Sequence, residues 1–157
     1  MSRVLNLTLL LLATPALAKP WKGLDPGVAS VLDVIGKFGE PSKRATAKGK
    51  DVLVYSGDRA IPGTIQVQFK VDPASQTVER IDLYPEAEIK AEKIVSDHGP
   101  ASDPQEPADP CYYRKETANK HAYFLYLKLG LAIFFKDDGS TVRSYSFLPA
   151  GATAAAP

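Results

Sequence analysis

The chain contains one cysteine, Cys111, in 157 residues. A single thiol cannot close an intramolecular disulfide, so a disulfide-stapled fold is excluded and the apolar core must hold the structure together. In an oxidising compartment Cys111 is either buried as a small apolar side chain, which we favour, or paired with another molecule.

The chain also has little that catalysis or metal binding would use. Its two histidines, His98 and His121, have no partner at metal-ligand spacing. The sequence contains no nucleophile elbow and no glycine-rich phosphate loop. We therefore predict no catalytic residues, no metal site and no cofactor.

No excess of charge of either sign is present. Lys and Arg number 19, Asp and Glu number 18, and the two sets balance once Arg3 is removed with the leader described next. Nucleic-acid-binding surfaces carry a basic excess. We therefore expect no nucleic-acid partner.

Long apolar runs are absent except at the N-terminus. An aliphatic stretch over residues 4–12 is followed by Ala16 and Ala18, small residues at the positions that signal peptidase reads. The stretch is shorter than the roughly 20 apolar residues of a membrane-spanning helix. We expect residues 1–18 to be a cleaved signal peptide, which leaves no stable membrane span and an extracytoplasmic protein, periplasmic or secreted.

Two short helices are predicted at equivalent places in the two halves of the chain. Ser30 and Asp33 form a capping box for the first, which ends at Gly39 and Pro41, and the second ends at 99–100. Each helix is too short to be stable alone and must lay its apolar face on a sheet. The predicted faces are Val34, Ile35 and Phe38 in the first helix, and Ile94, Val95 and His98 in the second.

The strand pattern recurs with an offset of 64 residues. Residues 64–71 alternate apolar and polar side chains, a turn follows, and a second strand ends at Pro85; the same order leads to Pro149. We interpret this as a duplication. Ile65 and Leu129 test it, because a duplication should give both the same environment. The inward pairs predicted by the offset are Ile65 with Leu129, Val67 with Leu131, Phe69 with Ile133, and Val71 with Phe135.

These elements predict an α+β fold of two tandem helix–strand–strand–strand repeats, forming an antiparallel sheet with short helices on one face. The first repeat covers residues 24–85 and the second residues 86–149. The second carries a Pro-rich insertion, 100–120, expected as a long surface loop. Residues 150–157 are expected to be a disordered tail. Residues 121–136 fit either one bent strand or a hairpin.

The run from Ser30 to Pro41 resembles the helix signature of the SmpA/BamE family, in which a capped short helix ends in Gly-x-Pro before three antiparallel strands. Tyr55 and Phe69 stand where that pattern has aromatic residues. Two such units in tandem resemble the β-lactamase-inhibitor-protein (BLIP-like) architecture, in which helices back a shared sheet. The resemblance covers roughly residues 25–149 and implies the fold. The chain lacks the disulfides of the known inhibitor and the lipidated cysteine usual in barrel-assembly proteins.

Aromatic residues predicted on the open sheet face are the main functional clue. An exposed aromatic patch indicates a partner site. Alternatively, the loop carrying Tyr112 and Tyr113 folds over the face, and a different register at Gly130 would remove the patch. The candidate partner-binding residues are Tyr84, Tyr112, Tyr113, Phe124, Tyr126 and Phe134.

Together these features predict an exported, non-catalytic protein-binding or inhibitory module whose open sheet face contacts another extracytoplasmic protein. An envelope structural or assembly accessory protein is the alternative. A small-ligand carrier or a hydrolase would need a deep pocket with converging polar groups, which we do not expect from this sequence.

Overall fold

Alternation of apolar and polar residues dominates the chain, and it produces one large sheet. The computed structural model describes residues 18–152, so the predicted signal peptide, apart from Ala18, and the tail from residue 153 lie outside the described residues. The fold is α+β, with an eight-stranded antiparallel sheet in the order β1-β2-β3-β4-β8-β7-β6-β5. The elements are β1 (Lys43–Ala47), β2 (Lys50–Ser56), β3 (Thr64–Val71), β4 (Val78–Pro85), β5 (Tyr113–Glu116), β6 (Ala122–Tyr126), β7 (Leu131–Phe135) and β8 (Val142–Phe147), with helices α1 (Val31–Phe38) and α2 (Ala91–His98).

Helix α1 begins at the predicted capping box. The Ser30 side chain accepts a hydrogen bond from the Asp33 N–H at 3.2 Å, and the Asp33 carboxylate accepts one from the Ser30 N–H at 2.8 Å. Two of the amide groups that a helix start leaves unpaired are thereby satisfied. Helix α2 has no such cap, because Lys90 occupies the equivalent position.

The two helices pack on the same face of the sheet. Val34 of α1 and Ile94 of α2 are both buried, and both belong to one apolar cluster that includes Phe69, Ile81 and Ile133 from the sheet. This cluster is the main core of the fold, and we call its side of the sheet the helix face. The opposite side is the open face.

Strands β4 and β8 meet at the middle of the sheet. Asp82 lies opposite Ser146, and the neighbouring pairs on either side are antiparallel as well. Two four-stranded halves extend from this seam, β4-β3-β2-β1 on one side and β8-β7-β6-β5 on the other. Each half therefore has four strands, one more than the three expected per unit, because β1 and β5 add an outer strand to each.

The inward orientation predicted for Ile65 is wrong. The register between β3 and β4 shifts between Thr64 and Gln66, so Ile65 is an extra residue in a bulge and is 63% exposed. Leu129 instead lies in the short 3-10 turn Leu127–Leu129 and packs against the core. This pair therefore does not share an environment. The remaining predicted inward residues are buried: Val67, Phe69, Val71, Leu131, Ile133 and Phe135.

Residues 121–136 form a hairpin, one of the two alternatives left open. Strands β6 and β7 pair antiparallel, with Tyr126 opposite Leu131. Gly130 follows the Leu127–Leu129 turn with φ of 57°. Its Cα lies against the backbone that follows β8, so a Cβ at this position would be 2.2 Å from the Leu148 carbonyl oxygen. Only glycine fits this turn without displacing the backbone.

Gly130→Ala should therefore lower the free energy of unfolding by about 2–3 kcal/mol, from left-handed strain and the clash with Leu148. Urea unfolding of both proteins measures the change. Gly139→Ala is the matched control, because Gly139 has φ of 67° but nothing within 4 Å of its Cβ position. If both variants lose the same free energy of unfolding, the close approach to Leu148 does not contribute to the loss.

Two tyrosine hydroxyls of the sheet hydrogen-bond the backbone at the ends of the helices. Tyr55 donates to the Gly39 carbonyl at 2.7 Å, and Tyr126 donates to the Gly99 carbonyl at 2.8 Å. Burial raises the pKa of both phenols, so they remain protonated donors at neutral pH. Each bond satisfies a carbonyl just beyond the end of a helix.

Tyr55→Phe and Tyr126→Phe should each cost about 1 kcal/mol of stability, because each leaves one carbonyl without its donor. Thermal unfolding at neutral pH checks this. Tyr123→Phe serves as the control, since the Tyr123 hydroxyl makes no hydrogen bond within residues 18–152. If Tyr123→Phe loses as much stability as Tyr55→Phe and Tyr126→Phe, the effect comes from ring packing and not from the hydrogen bonds.

The segment after the predicted cleavage point packs on the core through Trp21. The Trp21 ring lies 5.8 Å from the Phe38 ring and 6.1 Å from the Phe69 ring, measured between centroids. The Lys19 amide donates to the Leu129 carbonyl at 2.9 Å. No helix in the part of the chain that the structure describes is long and apolar enough to cross a membrane.

Candidate binding recess on the open face

The six predicted partner-binding residues do not form an exposed aromatic patch. Phe124 and Tyr126 are buried in the main core on the helix face, and Tyr112 stacks on Phe124 with ring centroids 3.8 Å apart. The β6–β7 hairpin places Tyr126 opposite inward-facing Leu131, so the alternation of β6 is one residue out of phase with the predicted one. The open-face placement of Phe124 and Tyr126 is therefore wrong.

Phe134 does lie on the open face but is fully buried there. It stacks with Tyr123 at 4.9 Å between centroids and belongs to a second, smaller apolar cluster with Leu125 and Ala132. Of the six predicted residues, Tyr112 is half-buried against the core, and the two that line cavities are Tyr113, at 45% exposure, and half-buried Tyr84. The two line different cavities.

A polar recess occupies the middle of the open face. Strands β4 and β8 supply its floor, and the turn between β5 and β6 supplies one wall. Tyr123 of β6, Phe134 of β7 and Ser144 of β8 lie in one row across the sheet, so the turn before β6 is at the same end of the sheet as the start of β8. The cavity measures about 370 Å³ and is lined by Arg80, Asp82, Tyr84, Thr117, Asn119, His121, Arg143, Ser144 and Ser146.

Asp82 is the buried charge of the recess floor, at 4% exposure. One carboxylate oxygen contacts the Arg80 Nε at 2.6 Å and accepts from the Ser146 hydroxyl at 2.5 Å, and the other contacts the Lys70 ammonium at 2.9 Å. A buried carboxylate is tolerated only with such partners. Asp82 thus bridges Arg80 of the recess floor and Lys70 of the neighbouring strand β3.

Arg143 reaches the recess because of a bulge in β8. Phe134 lies opposite Ser144 and Phe135 opposite Val142, so Arg143 is the extra residue between them. The side chain is exposed, and no carboxylate of residues 18–152 lies within ion-pairing distance of it. Arg143 adds a positive charge at the rim.

Hydrogen-bond donors without partners complete the lining. The Tyr84 hydroxyl, the Asn119 amide and the Ser144 hydroxyl make no hydrogen bond with any other described residue. Burial raises the pKa of the Tyr84 phenol, and the Asp82 carboxylate raises it further. Tyr84 therefore remains a donor at neutral pH.

The lining does not assemble a nucleophile with its base. His121 lies 3.4 Å from the Asp137 carboxylate, and Ser144 lines the same recess, but no hydrogen bond joins Ser144 to His121. Within residues 18–152, no group of three or more His, Cys, Asp or Glu side chains is placed to hold a metal ion. The recess therefore offers a ligand hydrogen-bond donors and the positive charge of Arg143.

A second cavity of about 330 Å³ lies beneath the insertion, where Tyr113 and half-buried Cys111 line it together with Leu127. His98, predicted as a packed residue, lies on the helix side, where its Nδ1 is 3.1 Å from the Lys19 ammonium. Burial lowers the pKa of His98, and Lys19 lowers it further. Neither Cys111 nor His98 belongs to the recess.

The sequence pattern did not predict the recess, although some of its residues stand out in a short stretch of sequence. The polar outward positions of β4 are visible there, including Arg80 and Asp82. The bulge at Arg143 and the position of the β5–β6 turn depend on the register between distant strands, which no short pattern encodes. Converging polar groups were therefore not expected on this face.

No family model matches the chain, and no curated protein matches it. Solved structures do match. One is a DUF4309 family protein (YjgB) from Bacillus subtilis, with TM-score 0.57 and 13% identity over 82% of this chain and 83% of that chain. Another is a cysteine-rich secretory protein (SAV1118) from Staphylococcus aureus, with TM-score 0.40 and 13% identity over 85% of this chain and 49% of that chain. The first match shows a shared fold, and the lower score of the second supports no conclusion.

Proposed function

We propose that the chain is an exported, non-catalytic protein-binding or inhibitory module that contacts an extracytoplasmic partner through the recess on its open face. One observation carries the proposal: the polar side chains of Tyr84, Asn119, Arg143 and Ser144, from β4, β8 and the β5–β6 turn, converge there without hydrogen-bond partners among residues 18–152. Unpaired polar groups in a concave site are a common feature of binding surfaces. The exposed aromatic patch expected from the sequence no longer supports the proposal.

Export rests on the leader, residues 1–18, and on the position of the residues that follow it. Lys19 would be the first residue after cleavage, and its amide is hydrogen-bonded to Leu129. Trp21 packs on the core two residues later. Removal of the leader before Lys19 would therefore leave these contacts in place.

The proposal includes a tandem-repeat origin for the fold. Asp82 and Ser146, which are 64 residues apart, face each other and hydrogen-bond at the central seam. Equivalent backbone bridges join the start of each helix to the β-turn of its own half, Ser30 to Thr77 and Lys90 to Thr141. The Ile65–Leu129 pair fails the test set for the duplication, so the tandem-repeat proposal rests on these other correspondences alone. The relation to the SmpA/BamE family stays a prediction from the sequence.

Partner capture tests the function. The full protein, immobilised as wild type, should retain a protein from the extracytoplasmic fraction of its host, and Arg143→Glu should abolish retention by reversing the rim charge. Arg114→Glu is the matched control, because Arg114 is an exposed arginine of β5 outside the recess. Retention that survives Arg143→Glu, or is lost equally in Arg114→Glu, would contradict a contact through the recess.

A further inference from the structure

We propose that the group held in the recess is a carboxylate side chain on an extended segment of the partner. This inference deepens the proposed function and rests on it. It assigns the ligand chemistry of the open face: an acidic peptide, bound by Arg143 together with the donors Tyr84, Asn119 and Ser144.

The first argument is the kind of polar group that the recess leaves unpaired. Asn119, Arg143, Ser144 and the Tyr84 phenol all present hydrogen-bond donors, and none has a partner among residues 18–152. Asp82, the carboxylate of the lining, already receives bonds on both oxygens. Arg143 can only donate, and the Tyr84, Asn119 and Ser144 side chains can each donate as well, so the ligand that pairs with all four is a hydrogen-bond acceptor.

The second argument is charge. Arg143 is the arginine of the lining for which no carboxylate of residues 18–152 lies within ion-pairing distance, whereas Asp82 is already paired with Arg80 and with Lys70 on the same face of the sheet. The unpaired charge favours an anion, and the buried floor weakens the screening of that attraction by solvent. The Asp137 carboxylate does not cancel the charge of Arg143, because the structure places it next to His121.

The third argument is size. A cavity of about 370 Å³ is at the small end of ligand pockets. It has room for one acidic side chain with the adjoining backbone, and its walls are polar. Arginine binds carboxylates through paired N–H donors, so an exposed Arg143 suits the carboxylate of a Glu or Asp side chain.

A nuclear magnetic resonance titration of the full, ¹⁵N-labelled protein tests the inference. The probes are acetyl-Ala-Glu-Ala-amide, its neutral match acetyl-Ala-Gln-Ala-amide, and inorganic phosphate. We expect the Glu peptide to shift the amide signals of Tyr84, Asn119 and Ser144 in a saturable way. The Gln peptide should bind at least about tenfold more weakly, the difference expected for a charge-assisted hydrogen bond.

Variants locate the bound carboxylate. Arg143→Gln should weaken binding of the Glu peptide about tenfold or more, whereas Arg114→Gln, the control outside the recess, should leave it within about twofold. Folding of both variants is checked by their unchanged spectra away from the substituted residue. Equal binding of the Glu peptide by Arg143→Gln and wild type would overturn the inference.

The remaining outcomes separate the inference from the function on which it rests. Equal shifts from the Glu and Gln peptides at the recess overturn the carboxylate assignment but leave a peptide-binding face. Phosphate binding as tight as that of the Glu peptide overturns the peptide assignment in favour of a general anion site. Shifts outside the recess, or none from any probe, overturn the inference and count against the recess as the binding site.

Discussion

Asp82→Asn should lower the free energy of unfolding by about 3–5 kcal/mol, the cost of removing one member of a buried charge network. The substitution leaves the side-chain size unchanged but strips the negative charge from between Lys70 and Arg80. Those two cations, 27% and 11% exposed at the side chain, then face each other with little solvent between them. Denaturant unfolding followed by circular dichroism measures the change.

Asp97→Asn provides the comparison for Asp82. Asp97 pairs with Lys93 on the surface of α2 at 2.9 Å, with both side chains largely accessible. Exposed pairs of this type contribute well under about 1 kcal/mol, so this variant should be close to wild type. If the two variants lose similar stability, the Asp82 network is not the buried support of the recess floor that its geometry indicates.

Phe134→Ala should destabilise the protein by about 3–5 kcal/mol, because it empties a fully buried site on the open face. The lost ring stacks with Tyr123, and the cavity left behind is enclosed by the smaller apolar cluster. Thermal and urea unfolding both measure the effect. The prediction separates a packing residue from a partner contact, the role first expected for Phe134.

Tyr113→Ala is the matched test on the same face. Tyr113 is an accessible aromatic residue on an outer strand, so its truncation should change stability by less than about 0.5 kcal/mol. A stable Phe134→Ala protein that nevertheless loses its partner would restore Phe134 to the contact surface and contradict its burial.

The parts of the fold that were predictable are those set by local chemistry. Ser30 and Asp33 are three residues apart and cap α1 without help from the rest of the chain. The alternation from Val67 to Val71 defines one buried face of β3 wherever that strand pairs. The α+β class follows from such segments.

The parts that were not predictable depend on pairing between distant residues. Ile65 continues the alternation of its strand, and only the shifted register with β4 turns it outward. The residues of β6 face the side dictated by the hairpin at Gly130, so a change of one residue in that turn moves Phe124 and Tyr126 from one face to the other. The sequence pattern therefore assigned Phe124 and Tyr126 to the wrong face of the sheet.

The recess also depends on pairing between distant residues, so the sequence predicts only part of it. Arg80, Tyr84 and Ser146 follow from the period of their strands, since outward positions alternate with core positions. Asn119 and His121 come from the turn before β6, which lies two strands from β8 in the sheet order. Their position beside β8 follows from the register of β6, β7 and β8, and that register joins distant parts of the chain.

The two outermost strands of the open sheet both carry basic side chains. Lys43 and Arg44 on β1 and Arg114 and Lys115 on β5 are all exposed. A sheet with free edges is a template on which further copies can stack strand to strand, and that growth leads to fibres. An encounter of two edges, β1 with β1, β5 with β5 or β1 with β5, brings these basic side chains close to one another, and Glu116 is the one acidic residue on either strand. Polymerisation through the edges is thereby opposed by Coulomb repulsion before any backbone hydrogen bond forms.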